Sequence, residues 1–453
     1  MVVVVDRRGP LMRGWGRAGA ARWLPLLLAA GTLYLFLLFA SQFYVRTVTS
    51  SYGEITRRRK SSVEDNEDGE GKKKPVVELQ EVKANTGREP PTEAAKPFSY
   101  TFKSSQYPAF EVEDVLTASG VSFRERMTAR VDTDKPKKVI LSWDAGHSAE
   151  NLGGCPDWHC EFTTDHSRGA EADVVLLTNG VSFVRNNSAQ YLLYYSQESP
   201  KNMGSSVPSK NYFNMSLGYR HDTATSSPYG YTVKLSKERR LEDVVDVARL
   251  KGKSKAAAWF VSHCSTNSRR EDLVAALQKH IKIDVYGGCP GAMACPRGGT
   301  CENMLNTDYF FYMALENSIC TDYITEKVWN QGYGRDILPV VLKRSIASGR
   351  LPPHSFLAAD DYSTVEAMAL HIASLIKNQT AYLEYFQWRR NYQTVFLNGN
   401  AHDELERPWG FCQACRLAWE RPRKTHVIED FSQWWEGSCE ADGATVNKIL
   451  NRQ

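Results

Sequence analysis

The chain has 453 residues, enough for two or three ordinary domains, and 42% of them are hydrophobic, so a sizeable buried core is possible. The formal net charge of +4 is small for that length and gives no reason to invoke a nucleic-acid partner. Eleven Trp and 21 Tyr suit a carbohydrate site and a large core equally well.

The first element along the chain is apolar. Residues 24–40 form an almost unbroken apolar run, and Trp23 with residues 43–45 extends it to roughly 20 residues, the length of a membrane span. Arg13, Arg17 and Arg22 precede it and only Arg46 follows closely, so the positive-inside rule puts the N-terminus in the cytosol. The expected layout is a cytosolic tail over residues 1–23 and a transmembrane signal anchor over 24–45. A cleaved signal peptide is the alternative. Against it stand the bulky Leu38, where a cleavage site wants a small residue, and the long basic leader.

Residues 46–135 are polar and charged, with few sustained apolar runs, and read as a flexible stem. Within it, residues 98–131 are less polar and are expected to pack onto the folded part. Asp132-Thr133-Asp134 has the spacing of a metal-binding DxD but sits in polar linker ahead of the first strand, and is read as chance.

Periodic structure starts at Lys138. Strand-length apolar runs recur at residues 139–143, 174–178, 191–195, 256–261, 283–286, 309–315 and 337–342. Helical patterns alternate with several of them: residues 270–281, with Leu273, Leu277 and Ile281 four apart, then 365–376 and 381–389. The alternation predicts an α/β fold with parallel sheets. The region is long enough for two such domains, joined near residues 250–254, and carries no internal repeat.

All ten cysteines and three Asn-x-Ser/Thr sequons, at Asn186, Asn214 and Asn378, follow the apolar run. An even cysteine count in an oxidising compartment points to disulfides. The C-x4-C of Cys155 and Cys160 with the C-x2-C of Cys412 and Cys415 is also compatible with zinc.

The densest chemical signal is residues 310–327, where an aromatic strand runs into a polar turn containing Glu316-Asn317-Ser318 and then Asp322-Tyr323-Ile324-Thr325-Glu326-Lys327. A helix is expected to start near Thr325, a good N-cap residue. Ligands of α/β sheets bind in turns beyond the carboxyl ends of strands. A helix N-terminus attracts phosphate, and Lys327 adds a full charge. The competing reading is a helix cap with a surface lysine.

This segment closely resembles the donor-binding motif of the α1,3-fucosyltransferases, glycosyltransferase family 10, with Leu315 in place of the usual Phe. Further resemblances follow in chain order: Cys155-Pro156 to Cys160 with Thr163-Thr164-Asp165; Glu198-Ser199-Pro200; Phe213-Asn214-Met215-Ser216 with Tyr219-Arg220 and Asp222; Pro228-Tyr229-Gly230; and Trp259-Phe260-Val261-Ser262 followed by Arg270. They cover residues 139–415. One departure is His263, where the family usually has Asn, so a titrating ring enters the expected donor site.

The resemblance implies a GT-B arrangement of two Rossmann-like domains, an acceptor-binding one over residues 136–252 and a GDP-fucose-binding one over 253–411. The tail, residues 412–453, is then tied back by disulfides joining Cys155 and Cys160 to Cys412 and Cys415. It assigns the general base to Glu198, ionised at Golgi pH and made a better base if burial against Tyr194 or Tyr195 raises its pKa. Lys327 and Arg270 are the expected partners of the leaving diphosphate. Tyr323 is placed on the nucleotide or phosphate, Glu326 on ribose or fucose hydroxyls, and Glu316, Asn317, Thr325, Ser262 and His263 around the donor. Tyr219 and Arg220 are expected to reach it from the other domain.

The implied reaction is inverting transfer of L-fucose from GDP-β-L-fucose to the 3-hydroxyl of GlcNAc. Residues 261–264 and 283–289 resemble the plant and invertebrate enzymes that act on the innermost GlcNAc of N-glycans, which makes core transfer the first reading. Outer-arm, Lewis-type transfer is the alternative, and an inactive glycan-binding member is the alternative of another class. The implied partners are an N-glycan or glycopeptide and the Golgi membrane, held by one helix with the catalytic part in the lumen. No tightly bound metal is expected, while Mn2+ can stimulate by pairing with the diphosphate. The pairing of Cys264, Cys289, Cys295, Cys301, Cys320 and Cys439 is open.

Overall fold

The computed structural model describes residues 98–178, 183–203, 210–295 and 299–451. The expected tail and signal anchor, and the stem as far as residue 97, lie outside the described residues. Among the described residues no helix is long and apolar enough to cross a membrane.

The segment from residue 98 is folded, so the stem ends earlier than residue 135. It supplies β1 (Tyr100–Phe102) and β2 (Phe110–Val115), which pair antiparallel. Phe102 and Val112 are fully buried in a cluster that includes Tyr231, Val395 and Trp409. Burying each such side chain contributes roughly 1.5–3 kcal/mol, which offsets the ordering of a short polar segment.

Next comes a parallel sheet of β3 (Lys138–Ser142), β4 (Cys160–Thr163), β5 (Val174–Leu177), β6 (Tyr191–Tyr194) and β7 (Met215–Ser216) in the order β4-β3-β5-β6-β7. β5 and β6 are buried along their whole length, as expected for parallel strands covered on both faces. β8 (Gly230–Leu235) then leaves this sheet and pairs antiparallel with β2.

The second parallel sheet has β9 (Lys255–Val261), β10 (Ile283–Gly287), β11 (Tyr309–Met313), β12 (Leu338–Val341) and β13 (Leu357–Ala358), in the order β10-β9-β11-β12-β13. Helix α1 (Arg270–Leu277) crosses from β9 to β10, and α2 (Val365–Lys377) packs Met368 and Ile372 into the same core. β14 (Tyr392–Phe396) returns to pair with β8. The antiparallel sheet β1-β2-β8-β14 is thus built from three distant pieces of chain, and sequence periodicity did not anticipate it.

Both parallel sheets have the doubly wound order 2-1-3-4-5 when their strands are numbered in sequence. In that order the crevice between strands 1 and 3 is the usual ligand position. The C-terminal stretch covers both. Helix α3 (Gly410–Trp419) packs Cys412, Cys415 and Leu417 on the first sheet, and α4 (Ala444–Ile449) packs Val446 and Ile449 on the second.

Candidate active site

A cleft of about 750 Å³ lies at the carboxyl ends of β9, β10 and β11. Val261, Ser262 and His263 line it as the chain leaves β9, and Gly287 and Gly288 as it leaves β10. Gly287 has φ +124°, and a Cβ there would meet the Val261 carbonyl oxygen at 2.1 Å, so only glycine lets the two strand exits approach this closely. A disulfide between Cys264 and Cys289 ties the same two exits together.

Arg270, the first residue of α1, lines this cleft and is only 3% exposed. Nη1 donates to the Leu315 carbonyl at 2.6 Å and Nη2 to the His263 carbonyl at 3.1 Å, while the buried Nε has no partner among the described residues. Burial pulls its pKa down and the Glu316 charge opposes this. An arginine stays protonated through such a shift. A buried cation held by carbonyls is electrostatically under-compensated and favours an anion in the cleft.

Lys327 is placed differently. Its ammonium lies 3.1 Å from Glu316 Oε2 and 3.3 Å from Glu326 Oε1, and donates to Thr325 Oγ1 at 2.8 Å. Burial pushes the ammonium pKa down, but the two carboxylates more than offset it and the net shift is upward. The lysine lines the cleft, yet it is not the unpaired cation the sequence suggested.

Glu316 packs against this group with its side chain mostly buried. Burial pushes its carboxyl pKa up, with Lys327 opposing. Oε1 accepts from the Thr325 N–H at 2.7 Å and from Thr325 Oγ1 at 2.9 Å. Thr325 therefore does not cap a helix, because its hydroxyl serves Glu316 and Lys327. The following element, Lys327–Gly332, is a six-residue π-helix, too short to act as a phosphate-binding helix N-terminus. Glu316 and Thr325 do not line the cleft; they hold Lys327 in place.

Glu198 reaches the cleft from the first sheet, four residues past the end of β6. Tyr323 Oη donates to its Oε1 at 2.6 Å, the Ser199 N–H at 2.8 Å and Asn202 Nδ2 at 3.2 Å. Burial pushes the carboxyl pKa up, but these hydrogen bonds and one from Asn317 outweigh it, leaving the pKa lowered. The expected upward shift from Tyr194 or Tyr195 is not seen. Tyr194 packs instead against Phe213, Phe431 and Trp435. Ser318 Oγ donates to Ser199 Oγ at 2.6 Å, so the Glu198 loop is also stapled to the Glu316-Asn317-Ser318 turn.

That turn is held from behind. Asp322 sits in the left-handed region at φ 63° and is buried. Its carboxylate accepts from the His221 N–H at 2.9 Å and from two Arg350 nitrogens at 3.0 and 2.6 Å, which fixes the conformation presenting Tyr323.

Of the other sequence candidates, Asn317, Tyr323, Glu326, Ser262 and His263 line the cleft. Tyr219 and Arg220 do not. Tyr219 is 1% exposed and meets Tyr323 edge-on at 4.9 Å, so it supports a lining residue from behind. Arg220 pairs with Asp222 and stacks over Trp434 at 4.3 Å, facing the C-terminal stretch. Tyr229, Phe260, Tyr312, Glu302 and Gln331 also line the cleft and were not anticipated. The Gly287-Gly288 pair at a strand end was the one sequence signal of the close approach.

A second cleft, of about 570 Å³, shares Tyr229 and Glu326 with the first. It lies at the carboxyl ends of β3 and β6, where His147, Tyr195 and Gln197 meet Trp409 and Phe411. His147 contacts Tyr195 and Phe411 edge-on at 4.4 and 5.0 Å, and burial lowers its pKa. His402 Nδ1 lies 2.9 Å from Glu406 Oε2 on the same wall. Aromatic faces beside paired polar groups suit a sugar ring.

All ten cysteines are paired. Cys155 bonds Cys412 and Cys160 bonds Cys415, which clips α3 to the first sheet across 257 and 255 residues. In the chain-entropy picture a loop of that length is worth on the order of 5 kcal/mol. The remaining pairs are Cys264–Cys289, Cys295–Cys301 and Cys320–Cys439. Among the described residues no group of three or more His, Cys, Asp or Glu side chains could hold a metal ion. Asn186 and Asn378 are exposed. The Asn214 carboxamide accepts from the Leu192 N–H at 2.8 Å and donates to the His426 carbonyl at 2.8 Å, so this sequon is engaged in the fold.

Two family profiles match in tandem: "Fucosyltransferase, N-terminal" over residues 135–230 and "Glycosyltransferase family 10 (fucosyltransferase) C-term" over residues 250–434. The α-(1,3)-fucosyltransferase fut-1 of Caenorhabditis elegans is 46% identical over 95% of this chain and 97% of its own length. The chain belongs to glycosyltransferase family 10. This fucosyltransferase is also 29% identical to glycoprotein 3-α-L-fucosyltransferase A of Drosophila melanogaster, over 62% of the chain and 56% of that protein. It is 32% identical to 4-galactosyl-N-acetylglucosaminide 3-α-L-fucosyltransferase FUT6 of Pan troglodytes, over 61% and 75% respectively. A crystal structure of an α1,3-fucosyltransferase with GDP-fucose aligns at TM-score 0.41 and 17% identity, over 67% of this chain and 96% of that one.

Proposed function

We propose that this fucosyltransferase moves L-fucose from GDP-β-L-fucose to the 3-hydroxyl of an N-acetylglucosamine, inverting the anomeric centre in one displacement. The observation that carries the reading is the position of Glu198. It is a carboxylate delivered by the first sheet into the cleft of the second, beside the neck shared with the aromatic cleft. The donor occupies the larger cleft and the acceptor sugar the smaller. Glu198 takes the acceptor hydroxyl proton on its carboxylate, whose Oε1 is held in place by Tyr323, Ser199 and Asn202. The acceptor oxygen bonds the fucose anomeric carbon as the bond to GDP breaks, and GDP leaves with the electron pair. Arg270 is the main cation for the departing diphosphate, and Lys327 adds a charge already shared with Glu316 and Glu326.

The two doubly wound sheets with converging carboxyl ends support a GT-B arrangement, in which the first lobe serves the acceptor and the second the donor. The apolar run over residues 24–45 and the all-disulfide cysteines support a Golgi signal anchor with a lumenal catalytic part. No resident metal enters this mechanism. Asn186 and Asn378 are the sequons open to glycosylation.

For the acceptor we favour the innermost GlcNAc of N-glycans, on the resemblance of residues 261–264 and 283–289. The test is GDP release and product mass spectrometry with the full-length enzyme, GDP-fucose and a panel of defined N-glycans. Fucose on the innermost GlcNAc is the expected product. Fucose on outer arms alone would install the Lewis-type reading, and no GDP release with any acceptor would leave a glycan-binding protein.

A further inference from the structure

A third cleft, of about 420 Å³, shares no residue with the two described above. It lies between the helical turn Phe123–Met127 and the far end of α3. Arg124, Arg130, Arg416, Arg421 and Lys424 line it against only two carboxylates, Glu125 and Glu420. The lining therefore carries an excess of three positive charges.

The pairing inside the cleft is incomplete. Glu125 Oε1 is shared by Arg416 at 3.1 Å and Lys424 at 3.2 Å, and Lys424 also holds Glu420 Oε1 at 2.7 Å. Arg416 is only 5% exposed. Its Nε donates to Gln413 Oε1 at 2.9 Å, and its Nη2 is buried with no partner among the described residues. Glu420 Oε2 is likewise buried and unpartnered. Buried polar atoms are normally satisfied, so an orphan cationic donor and an orphan carboxylate acceptor beside one cleft leave Arg416 and Glu420 with bonding capacity that no described residue meets.

We infer that this cleft binds a sugar carrying a sulfate or phosphate ester, at a site separate from the transfer chemistry. The oxyanion pairs with Arg416 and the surrounding cations, and a sugar hydroxyl donates to Glu420. The second requirement separates this ligand from bare sulfate, which offers a carboxylate no donor. The concave shape and the two carboxylates separate it from an anionic membrane surface, which a flat basic patch serves better. The volume is within the range of small-ligand sites. Because α3 also places Gly410 and Phe411 in the aromatic cleft, one rigid helix connects the two sites.

The test uses the full-length enzyme in detergent and N-acetylglucosamine 6-sulfate as probe. N-acetylglucosamine, inorganic sulfate and vesicles with or without phosphatidylserine are the comparators. Calorimetry should show the sulfated sugar binding at least tenfold more tightly than either the plain sugar or sulfate. The exposed pair Arg130→Glu/Arg421→Glu, which spares the core, should weaken it at least tenfold, and Arg416→Gln should abolish it. Glu420→Gln should narrow the preference for the sulfated sugar over free sulfate. No binding, equal binding of free sulfate, binding that survives in the exposed double variant, or a preference for phosphatidylserine vesicles over the sulfated sugar would each overturn the assignment.

Discussion

The two parallel sheets have the same strand order and present different chemistry at their carboxyl ends. The second sheet ends in close backbone, at Gly287 and Gly288, with a buried cation, Arg270. The first sheet ends in aromatic rings, at Tyr195 and His147, and sends one carboxylate, Glu198, across to the other. An anionic leaving group needs the first kind of end, and a sugar hydroxyl with its base needs the second. In the proposed function a single topology thus serves two jobs through the loops at strand ends, while the strands themselves stay apolar.

If this division is right, the largest single effect should follow loss of the base. Glu198→Gln is nearly isosteric and cannot take the proton, so kcat should fall about 100- to 10,000-fold in a steady-state transfer assay. Turnover within a few fold of the parent would remove Glu198 from that role.

Lys327→Met comes next, and its effect should be on stability as well as rate. Removing the ammonium leaves Glu316 buried without its counter-ion, a loss of about 3–5 kcal/mol for a buried pair. The Glu316 carboxyl is already raised by burial. Its ionisation therefore destabilises the fold as pH climbs from the ordinary carboxylate range through the raised folded value. The fall in melting temperature should be greater at pH 7.5 than at pH 5, and Glu316→Gln in the same chain should recover most of it. A pH-independent fall with no recovery would show that Glu316 does not depend on the Lys327 charge.

Arg270→Lys keeps a charge and loses the planar fork, so GDP affinity should drop about tenfold by calorimetry, or about 1.4 kcal/mol. Ser318→Ala removes one hydroxyl bond between the Glu198 loop and the donor turn and should cost about 0.5–1.5 kcal/mol in denaturant unfolding. The pH profile should show the least change. With its pKa lowered, Glu198 stays ionised above the ordinary carboxylate range, so kcat/KM should be flat from pH 7 to pH 5 and fall only as pH drops through the lowered value.

The second sheet's chemistry was legible in sequence because it is nearly contiguous: Asn317, Tyr323, Glu326 and Lys327 lie within one turn, and the seven expected strands all formed. What failed depended on distance. Tyr323 meets Glu198 across 125 residues, and that bond, with those from Ser199, Asn202 and Asn317, reverses the expected direction of the Glu198 shift. Thr325 looked like a cap because its carboxylate partner, nine residues earlier, was invisible to local pattern. Residues 98–131 were read only as packing onto the folded part, because β8, which brings the β1-β2 pair into the sheet, lies more than a hundred residues downstream of β2. The aromatic cleft went unread for the same reason, since its walls come from residues near 147, 195, 229 and 409.

In the proposed mechanism one sheet holds the donor while the other supplies the base. Calorimetric GDP affinity of Glu198→Gln, run beside Arg270→Lys and the parent enzyme, tests it most directly. Glu198→Gln should bind GDP as the parent does, while Arg270→Lys should bind it about tenfold more weakly. Weakened GDP binding in Glu198→Gln with parental binding in Arg270→Lys would contradict it.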